Sequence, residues 1–309
     1  MQANEPAGRI APVAELINTY EIGEMAQRRL EAATWALLAP ADRAAFDRIT
    51  FRPRMMVNTT ALDISVELFG QKHFAPLIVG PVSRQKRFHP EGELEMAKGA
   101  AAAKAAMVLP LDSSVPLAQV VPLAKAGAWF QVNLEADMTK AIAAAKQAVA
   151  AGCKVVCATG TNWKLLAGLT KAVSVPVVAK GILTPAQAEA AIAAGAQGLI
   201  VSNWVATGPP GKSEAIEVLP VVADAVRDRV PVLADGGFRR GSDLLKGLSL
   251  GAKAILVARA PACGLAAYGA AGVQRALEIL QTDLARDMAM CGKSKLSLLS
   301  RDTVKVHRF

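Results

Sequence analysis

The feature of this sequence that most restricts its fold is a regular alternation of short apolar runs with longer helical segments. Eight such runs occur between residues 77 and 257, and each is followed by a stretch with helical character. Near-continuous apolar runs are typical of strands covered on both faces, as in parallel sheets. Eight strand–helix repeats therefore predict an α/β fold, a (β/α)8 TIM barrel. The predicted strands are Leu77–Gly80, Met107–Leu109, Trp129–Val132, Lys154–Ala158, Val175–Ala179, Gly198–Val201, Val230–Ala234 and Ala254–Val257.

The remaining residues predict an extension before the barrel and a helix after it. Periodic apolar residues predict a helix over Val13–Ala39 and a short one over Ala41–Phe46, whereas Arg52–Leu68 is predicted to be extended and outside the barrel. The longest predicted helix is Leu265–Met290, and the polar terminus Thr303–Phe309 is predicted to be mobile. We expect a single domain over 1–309, with 1–75 as the N-terminal helical extension, 76–262 as the barrel, and 263–309 as a C-terminal helix and tail.

The last two strands of the predicted barrel end in groups that suit a phosphate. Asp235-Gly236-Gly237, followed by Arg239, comes after one strand, and Ala258-Arg259 comes after the next. Paired glycines let main-chain N–H groups approach an anion, and guanidinium groups match phosphate oxygens. The loops after the last two strands are also the usual phosphate site of such barrels. The alternative is a glycine turn beside solvated arginines, which the doubled signal at adjacent strand ends disfavours.

Lys180 ends the fifth apolar run, directly before Gly181, and is therefore expected at the mouth of the barrel. A lysine in that position could form a Schiff base or neutralise an anion. The alternative is a surface lysine whose apolar stem alone is buried.

Charge and cysteine content exclude several classes of protein. The formal net charge is +9, but the basic residues are scattered and no basic run alternates with aromatic residues, so a nucleic-acid partner is not expected. The four cysteines contain no CxxC pair, and Cys157 lies in an apolar run, which favours a reducing compartment. No signal peptide or membrane span is predicted, so we expect a cytoplasmic protein without a metal or membrane partner.

Several motifs resemble those of the FMN-dependent α-hydroxy-acid oxidases and dehydrogenases. The resemblance extends from about Tyr20 to about Leu298. The motifs are AFDRITFRPRMM, HPEGE at 89–93, FQV at 130–132, VVAKGILTPAQA at 177–188, LIVSN at 199–203 and LADGGFRRGSDLLKGLSLGA at 233–252.

This resemblance implies a non-covalent FMN site. Pro81, Val82 and Ser83 match the segment that lies along the flavin ring. Gln131, Thr159 and Ser202 match contacts of the ring, and Lys180 matches the lysine that stabilises negative charge on the reduced flavin. The residues that match the ribityl and phosphate contacts are Asp235, Gly236, Gly237, Arg239, Ala258 and Arg259.

The sequence departs from the family where the substrate would bind. The family's SNHGxRQLD is replaced by SNWVATGPPGK, so that the proton-accepting histidine becomes Trp204 and the carboxylate-binding arginine becomes Thr207. The long loop after the fourth strand, which carries a second substrate arginine, is nearly absent, because Thr159 is only 16 residues from Val175.

Three further positions of the substrate site also differ. The tyrosine two residues beyond the matched glutamine becomes Asn133, and the aspartate that orients the histidine falls at or near Thr161. The N-terminal tyrosine falls near Leu37 or Trp35. The sequence thus keeps the cofactor half of the family's site and lacks its substrate half.

Three hypotheses follow from this mixture. The first is an FMN-dependent oxidoreductase with an altered, unknown small-molecule substrate, in which Lys180 is the retained catalytic group and Asn133, Thr161, Trp204 and Thr207 shape the pocket. The second is a catalytically silent FMN-binding regulatory or scaffold protein. The third is a flavin enzyme of a different reaction. A homo-oligomer, as a tetramer, is expected by analogy with the family.

Overall fold

The segment before the barrel consists of short helices and strands, in a computed structural model that describes residues 9–39, 42–134, 137–204 and 215–307. The predicted Val13–Ala39 helix is wrong, because Leu30 is extended and Asn18 begins a new helix by accepting two main-chain N–H groups. After a 3-10 turn at Val13–Glu15, the elements are α1 (Thr19–Arg29), α2 (Ala32–Trp35), α3 (Ala44–Asp47), β1 (Ile49–Phe51), β2 (Val66–Leu68) and β3 (Gln71–His73).

Eight parallel strands then close into a barrel, which confirms the predicted fold class. Each strand pairs with the next along the chain, and the last pairs with the first through Leu256 and Ile78. The strands are β4 (Leu77–Val79), β5 (Ala106–Pro110), β6 (Ala128–Asn133), β7 (Val155–Thr159), β8 (Val177–Ile182), β9 (Gly198–Val201), β10 (Val232–Ala234) and β11 (Ala254–Val257).

A helix follows each barrel strand and covers its outer face. The connection after β7 is short, whereas the resembled family has a long loop there. The next helix begins four residues after Thr159, at Trp163. These helices are α4 (Glu93–Ala102), α5 (Leu117–Val120), α6 (Met138–Ala150), α7 (Trp163–Ala172), α8 (Pro185–Ala193), α9 (Ala215–Val226), α10 (Gly241–Ser249) and α11 (Arg259–Tyr268).

The β2–β3 hairpin closes the N-terminal end of the barrel. Phe69 at its turn packs edge-to-face on Trp129, with ring centroids 5.6 Å apart. Phe69 also fills the space beside Gly198, where an added Cβ would lie 2.7 Å from the ring. Above this floor the interior is filled by buried apolar side chains such as Val108, Val178 and Leu233. Any binding site inside the barrel must therefore open at the C-terminal ends of the strands.

The C-terminal region differs from its prediction in two places. The predicted Leu265–Met290 helix is in fact two helices, α11 and α12 (Ala270–Met290), because Gly269 has a φ of 61°, which ends the first helix. The terminus also forms a strand, β12 (Val304–Val306), that pairs antiparallel with β1, so it is not mobile over those residues. Residues 308 and 309 lie outside the described part of the chain.

None of the helices in the described ranges combines the length and apolar character needed to cross a bilayer. The same residues contain no group of three or more His, Cys, Asp or Glu side chains placed to hold a metal ion.

Candidate functional site

A cavity of about 470 Å³ opens at the C-terminal ends of the barrel strands. Its volume lies within the usual range for small-molecule and cofactor sites. The cavity brings together most of the residues that the sequence predicted, and these are Pro81, Val82, Ser83, Lys180, Trp204, Asp235, Gly236, Gly237, Arg239, Ala258 and Arg259.

The polar groups at this end come from the inward-facing rows of the strands. Residues two apart on a strand face the same side, so Thr159 continues the row of Cys157, and Lys180 continues that of Val178. Cys157 and Val178 belong to the apolar interior below. Burial raises the pKa of the Cys157 thiol to about 12, despite the opposing charge of Lys180. This thiol is therefore a small apolar core group.

Lys180 lies at the bottom of the cavity in a fixed ion pair. Its Nζ is 2.8 Å from Oδ2 of Asp235 and donates to Oγ of Ser202 at 2.9 Å. Only 2% of the lysine side chain is exposed, which excludes a surface lysine with a solvated head. The strand register shifts between Lys180 and Ile182, where β8 pairs with β9. Such irregularities re-aim side chains near functional sites.

Two side-chain amides and one hydroxyl form a second polar group on the neighbouring strands β6 and β7. Nε2 of Gln131 donates to Oγ1 of Thr159 at 3.2 Å and also to Oδ1 of Asn133. Thr159 is the register partner of Lys180, which places this group beside the ion pair. These three side chains and Ser202 are not in the cavity wall, and they adjoin it through Lys180.

The loop after β10 takes a conformation that requires glycine. Gly236 and Gly237 have φ values of 93° and 78°, which side chains rarely adopt. A Cβ on Gly237 would also lie 2.7 Å from the ring of Phe46, a residue of α3. The N-terminal extension therefore packs directly on the predicted phosphate loop.

A buried carboxylate that sequence analysis missed holds this loop. Asp243, in the first turn of α10, accepts the main-chain N–H groups of Arg239 and Arg240, both at 2.8 Å. Its other oxygen accepts Nη2 of Arg43 at 2.7 Å, while Nη1 of Arg43 donates to the carbonyl of Gly237 at 2.7 Å. An acidic residue three positions into a helix was a visible capping signal. The contact to Arg43 spans 200 residues and left no signal in the sequence.

Arg239 supplies the clearest indication of a ligand. The residue is 4% exposed, and its Nε and Nη1 are buried without an acceptor among the described residues. The guanidinium lies over the ring of Tyr20, with Cζ 5.2 Å from the centroid. Buried cations need hydrogen-bonding partners, so the arrangement suits an anionic group in the cavity.

Only some of the residues predicted to shape the substrate pocket lie in the described cavity wall. Trp204 and Leu37 lie in the cavity wall and are 60% and 54% exposed, which places them at its mouth. Thr161 is exposed and outside the cavity wall, and Thr207 falls outside the described residues. Sequence analysis missed several other residues of the wall, namely Leu38, Gly80, Arg87, Phe88, Asn203, Phe238, Leu256 and Val257.

Known proteins with similar sequences and folds are named as oxidases of hydroxy acids. The peroxisomal (S)-2-hydroxy-acid oxidase GLO4 of Oryza sativa subsp. japonica is 31% identical over 84% of this chain and 86% of its own. The L-lactate oxidase of a Nostoc species is 29% identical over 92% of this chain and 96% of its own. A crystal structure of mandelate oxidase with (S)-2-phenylpropionate superposes with a TM-score of 0.89 at 28% identity, covering 95% of this chain and all of that one.

A model of one protein family, described as FMN-dependent dehydrogenase, matches residues 31–161 and 157–306. The two matches meet at the end of β7, where the connection is short. Together they span the extension, the barrel and the C-terminal helices. The chain therefore belongs to the FMN-dependent dehydrogenase family, whose members include hydroxy-acid oxidases.

Proposed function

We propose that this chain holds FMN in the cavity and acts as an FMN-dependent oxidoreductase on a small organic substrate. The observation that carries the proposal is Arg239, a buried guanidinium with two donors lacking an acceptor among the described residues. It lines the same cavity as the Gly236-Gly237 turn and Arg259, and groups of these kinds are suited to binding a phosphate.

The residues around the cavity would divide the work of holding FMN. Arg239, Arg259 and the glycine turn would bind the phosphate, and Asp235 would accept from the ribityl hydroxyls. Pro81, Val82 and Ser83 would lie along the ring, with Gln131, Thr159 and Ser202 near its polar edge. We propose Ala258 as a main-chain contact of the phosphate.

FMN, when bound, supplies two-electron oxidation of a substrate. Lys180 would place a fixed ammonium beside it, and its position is set by Asp235 and Ser202. A cation that is already oriented stabilises developing negative charge without having to reorganise. Asp235 pairs with the lysine, and this charge pairing offsets the cost of burying the ammonium group.

Among the described residues, the substrate half of the cavity wall lacks the usual proton acceptor, a histidine. None of the chain's three histidines, His73, His89 and His307, lies in the cavity wall. Trp204 stands at the matched position, and an indole N–H only donates. A positioned base typically contributes about 10²–10⁴-fold to rate. We therefore expect simple 2-hydroxy acids to be oxidised slowly.

Anaerobic mixing with glycolate, L-lactate and mandelate tests this function. We expect the purified protein to release FMN on denaturation, identified by mass spectrometry, and its bound flavin to be bleached slowly by these acids. Rapid bleaching would show that another residue acts as the base. A protein that binds FMN but is bleached by no small substrate would be the silent flavin-binding protein, and one that binds no flavin would refute the proposal.

We further propose a single domain over residues 1–309, a homo-oligomeric assembly and a cytoplasmic location. The free, buried state of all four cysteines supports a reducing compartment. Some relatives are named as peroxisomal, so fractionation of the source cells is the measurement that decides.

A further inference from the structure

The cavity wall contains one more cation than the proposed cofactor site uses. Among the described lining residues, four side chains are basic and one is acidic. Lys180 is paired with the single carboxylate, Asp235, and two arginines are assigned above to the phosphate. The fourth cation is Arg87, which lies in the loop after β4. No sequence motif assigned a role to this residue.

The guanidinium of Arg87 is held in place without being neutralised. Its Nε donates to the carbonyl of Arg84 at 3.1 Å, and its Nη2 donates to that of Ser83 at 3.2 Å. Its Cζ lies 5.6 Å from the centroid of the Phe88 ring. These partners are uncharged, and no carboxylate of a described residue lies within ion-pair distance. The nearby Asp112 is paired with Arg84 instead, at 2.6 Å.

The loop that carries Arg87 is fixed by a buried carboxylate of α4. Glu93, which is fully buried, accepts the main-chain N–H groups of Gln85 at 3.1 Å and Ser114 at 2.9 Å. Nε2 of Gln85 also donates to the carbonyl of Val82 at 3.1 Å. The arginine is therefore positioned before any ligand arrives, which lowers the entropy lost on binding.

Apolar side chains surround the rest of the mouth. Leu37, Leu38, Val82, Phe88 and Trp204 line the same cavity as Arg87. Arg87 is exposed at the mouth, has no acidic partner among the described residues, and shares the cavity with these apolar groups. Such a guanidinium fits a carboxylate on an apolar body.

We propose that Arg87 binds the carboxylate of an organic acid with an apolar body, and so determines specificity from the β4 loop. The proposal rests on the proposed function, because the second ligand would bind beside FMN. The carboxylate partner would then follow β4, whereas the position of the family's arginine, Thr207, follows β9 in the sequence. The absence of a histidine from the wall is consistent with binding of such an acid without rapid turnover.

The test compares two ligands that differ only in charge, benzoylformate and benzoylformamide. Each is titrated into the FMN-loaded protein, and binding is followed by the change in the visible flavin spectrum. We expect the acid to bind about tenfold to hundredfold more tightly than the amide, the range for a charge-assisted hydrogen bond. Arg87→Met keeps a side chain over Phe88 and should remove this preference without changing the affinity for the amide. Arg87→Lys should restore part of it.

Arg84→Met is the matched control, since Arg84 is in the same loop but does not line the cavity. It should leave both ligand affinities unchanged. Failure of the wild-type protein to prefer the acid, or an equal loss for acid and amide in Arg87→Met, would overturn the proposal. A lower affinity for FMN in Arg87→Met would assign Arg87 to the phosphate and would also overturn it, while leaving the proposed function intact. Failure of the wild-type protein to bind FMN would overturn both.

Discussion

Replacing Arg239 by methionine should have opposite effects on the free and the FMN-loaded protein. Arg239 is 4% exposed, and two donors of its guanidinium meet no acceptor among the described residues. Each unsatisfied buried donor costs about 1–3 kcal/mol. The contact with the ring of Tyr20, at 5.2 Å, returns up to about 2 kcal/mol. Arg239→Met removes the cost of both donors, about 2–6 kcal/mol together, and also the ring contact, so the free protein should gain up to about 4 kcal/mol of unfolding free energy.

The same substitution should weaken FMN binding. A charge-assisted hydrogen bond contributes about 1.5–3 kcal/mol, and loss of about 3 kcal/mol corresponds to a dissociation constant roughly 100-fold higher. Urea unfolding followed by tryptophan fluorescence measures the first effect, and quenching of FMN fluorescence on titration measures the second. The stability order of the two proteins should therefore reverse when FMN is added at saturating concentration.

Arg240→Met is the control for this experiment. Arg240 lies over the same Tyr20 ring, at 4.9 Å, but it is exposed and does not line the cavity. Arg240→Met should leave the unfolding free energy of the free protein almost unchanged. It should also leave the FMN dissociation constant almost unchanged. The reasoning is refuted if Arg239→Met binds FMN as tightly as the wild-type protein, or if it destabilises the free protein.

Three other outcomes are expected. Arg43→Met should raise the FMN dissociation constant about tenfold although Arg43 does not line the cavity, because the buried Asp243 loses a charged partner. The control Arg48→Met breaks only an exposed ion pair and should leave that constant unchanged. Fluorescence titration with FMN measures both. Burial, more than nearby charges, raises the pKa of Asp287 to about 6, so the folded protein binds that proton more tightly than the unfolded chain and stability falls as the pH rises from about 4 to 6. Asp287→Asn should therefore add on the order of 1–3 kcal/mol at pH 7.5 and almost nothing at pH 4, as measured by urea unfolding. The four cysteines are free and buried, so a thiol reagent should titrate them only after denaturation, and a fast-reacting thiol in the native protein would contradict the structure.

The barrel could be predicted because its strands are local, apolar and bounded by turn residues. The predicted limits of Gly198–Val201 and Ala254–Val257 coincide with those of β9 and β11. The cavity could be predicted because all C-terminal strand ends meet at one end of such a barrel. Lys180 and Arg259 therefore lie in the same wall although 79 residues separate them in the sequence.

What could not be predicted depends on contacts between distant segments. The helical pattern of residues 265–290 continues across Gly269, and the break is visible only in the structure, where Gly269 has a positive φ and α11 packs on α12. There a Cβ on Gly264 would lie 2.3 Å from the carbonyl oxygen of Gly272. In the sequence, Arg43 is an ordinary charged residue in a predicted short helix. Its role depends on Asp243, which comes 200 residues later in the chain.

The apolar floor made by Phe69 and Trp129 also affects how quickly an anion reaches the cavity. With the lower end closed by low-dielectric side chains, the field of the cavity's basic residues is directed outward through the mouth. The net charge of +9 adds a long-range attraction of the same sign. Capture of a phosphate-bearing molecule should then be fast in dilute buffer and slow as salt shortens the range of the field, while its escape rate changes little. The hairpin, which lies outside the cavity wall, would thus influence the rate at which the cofactor binds.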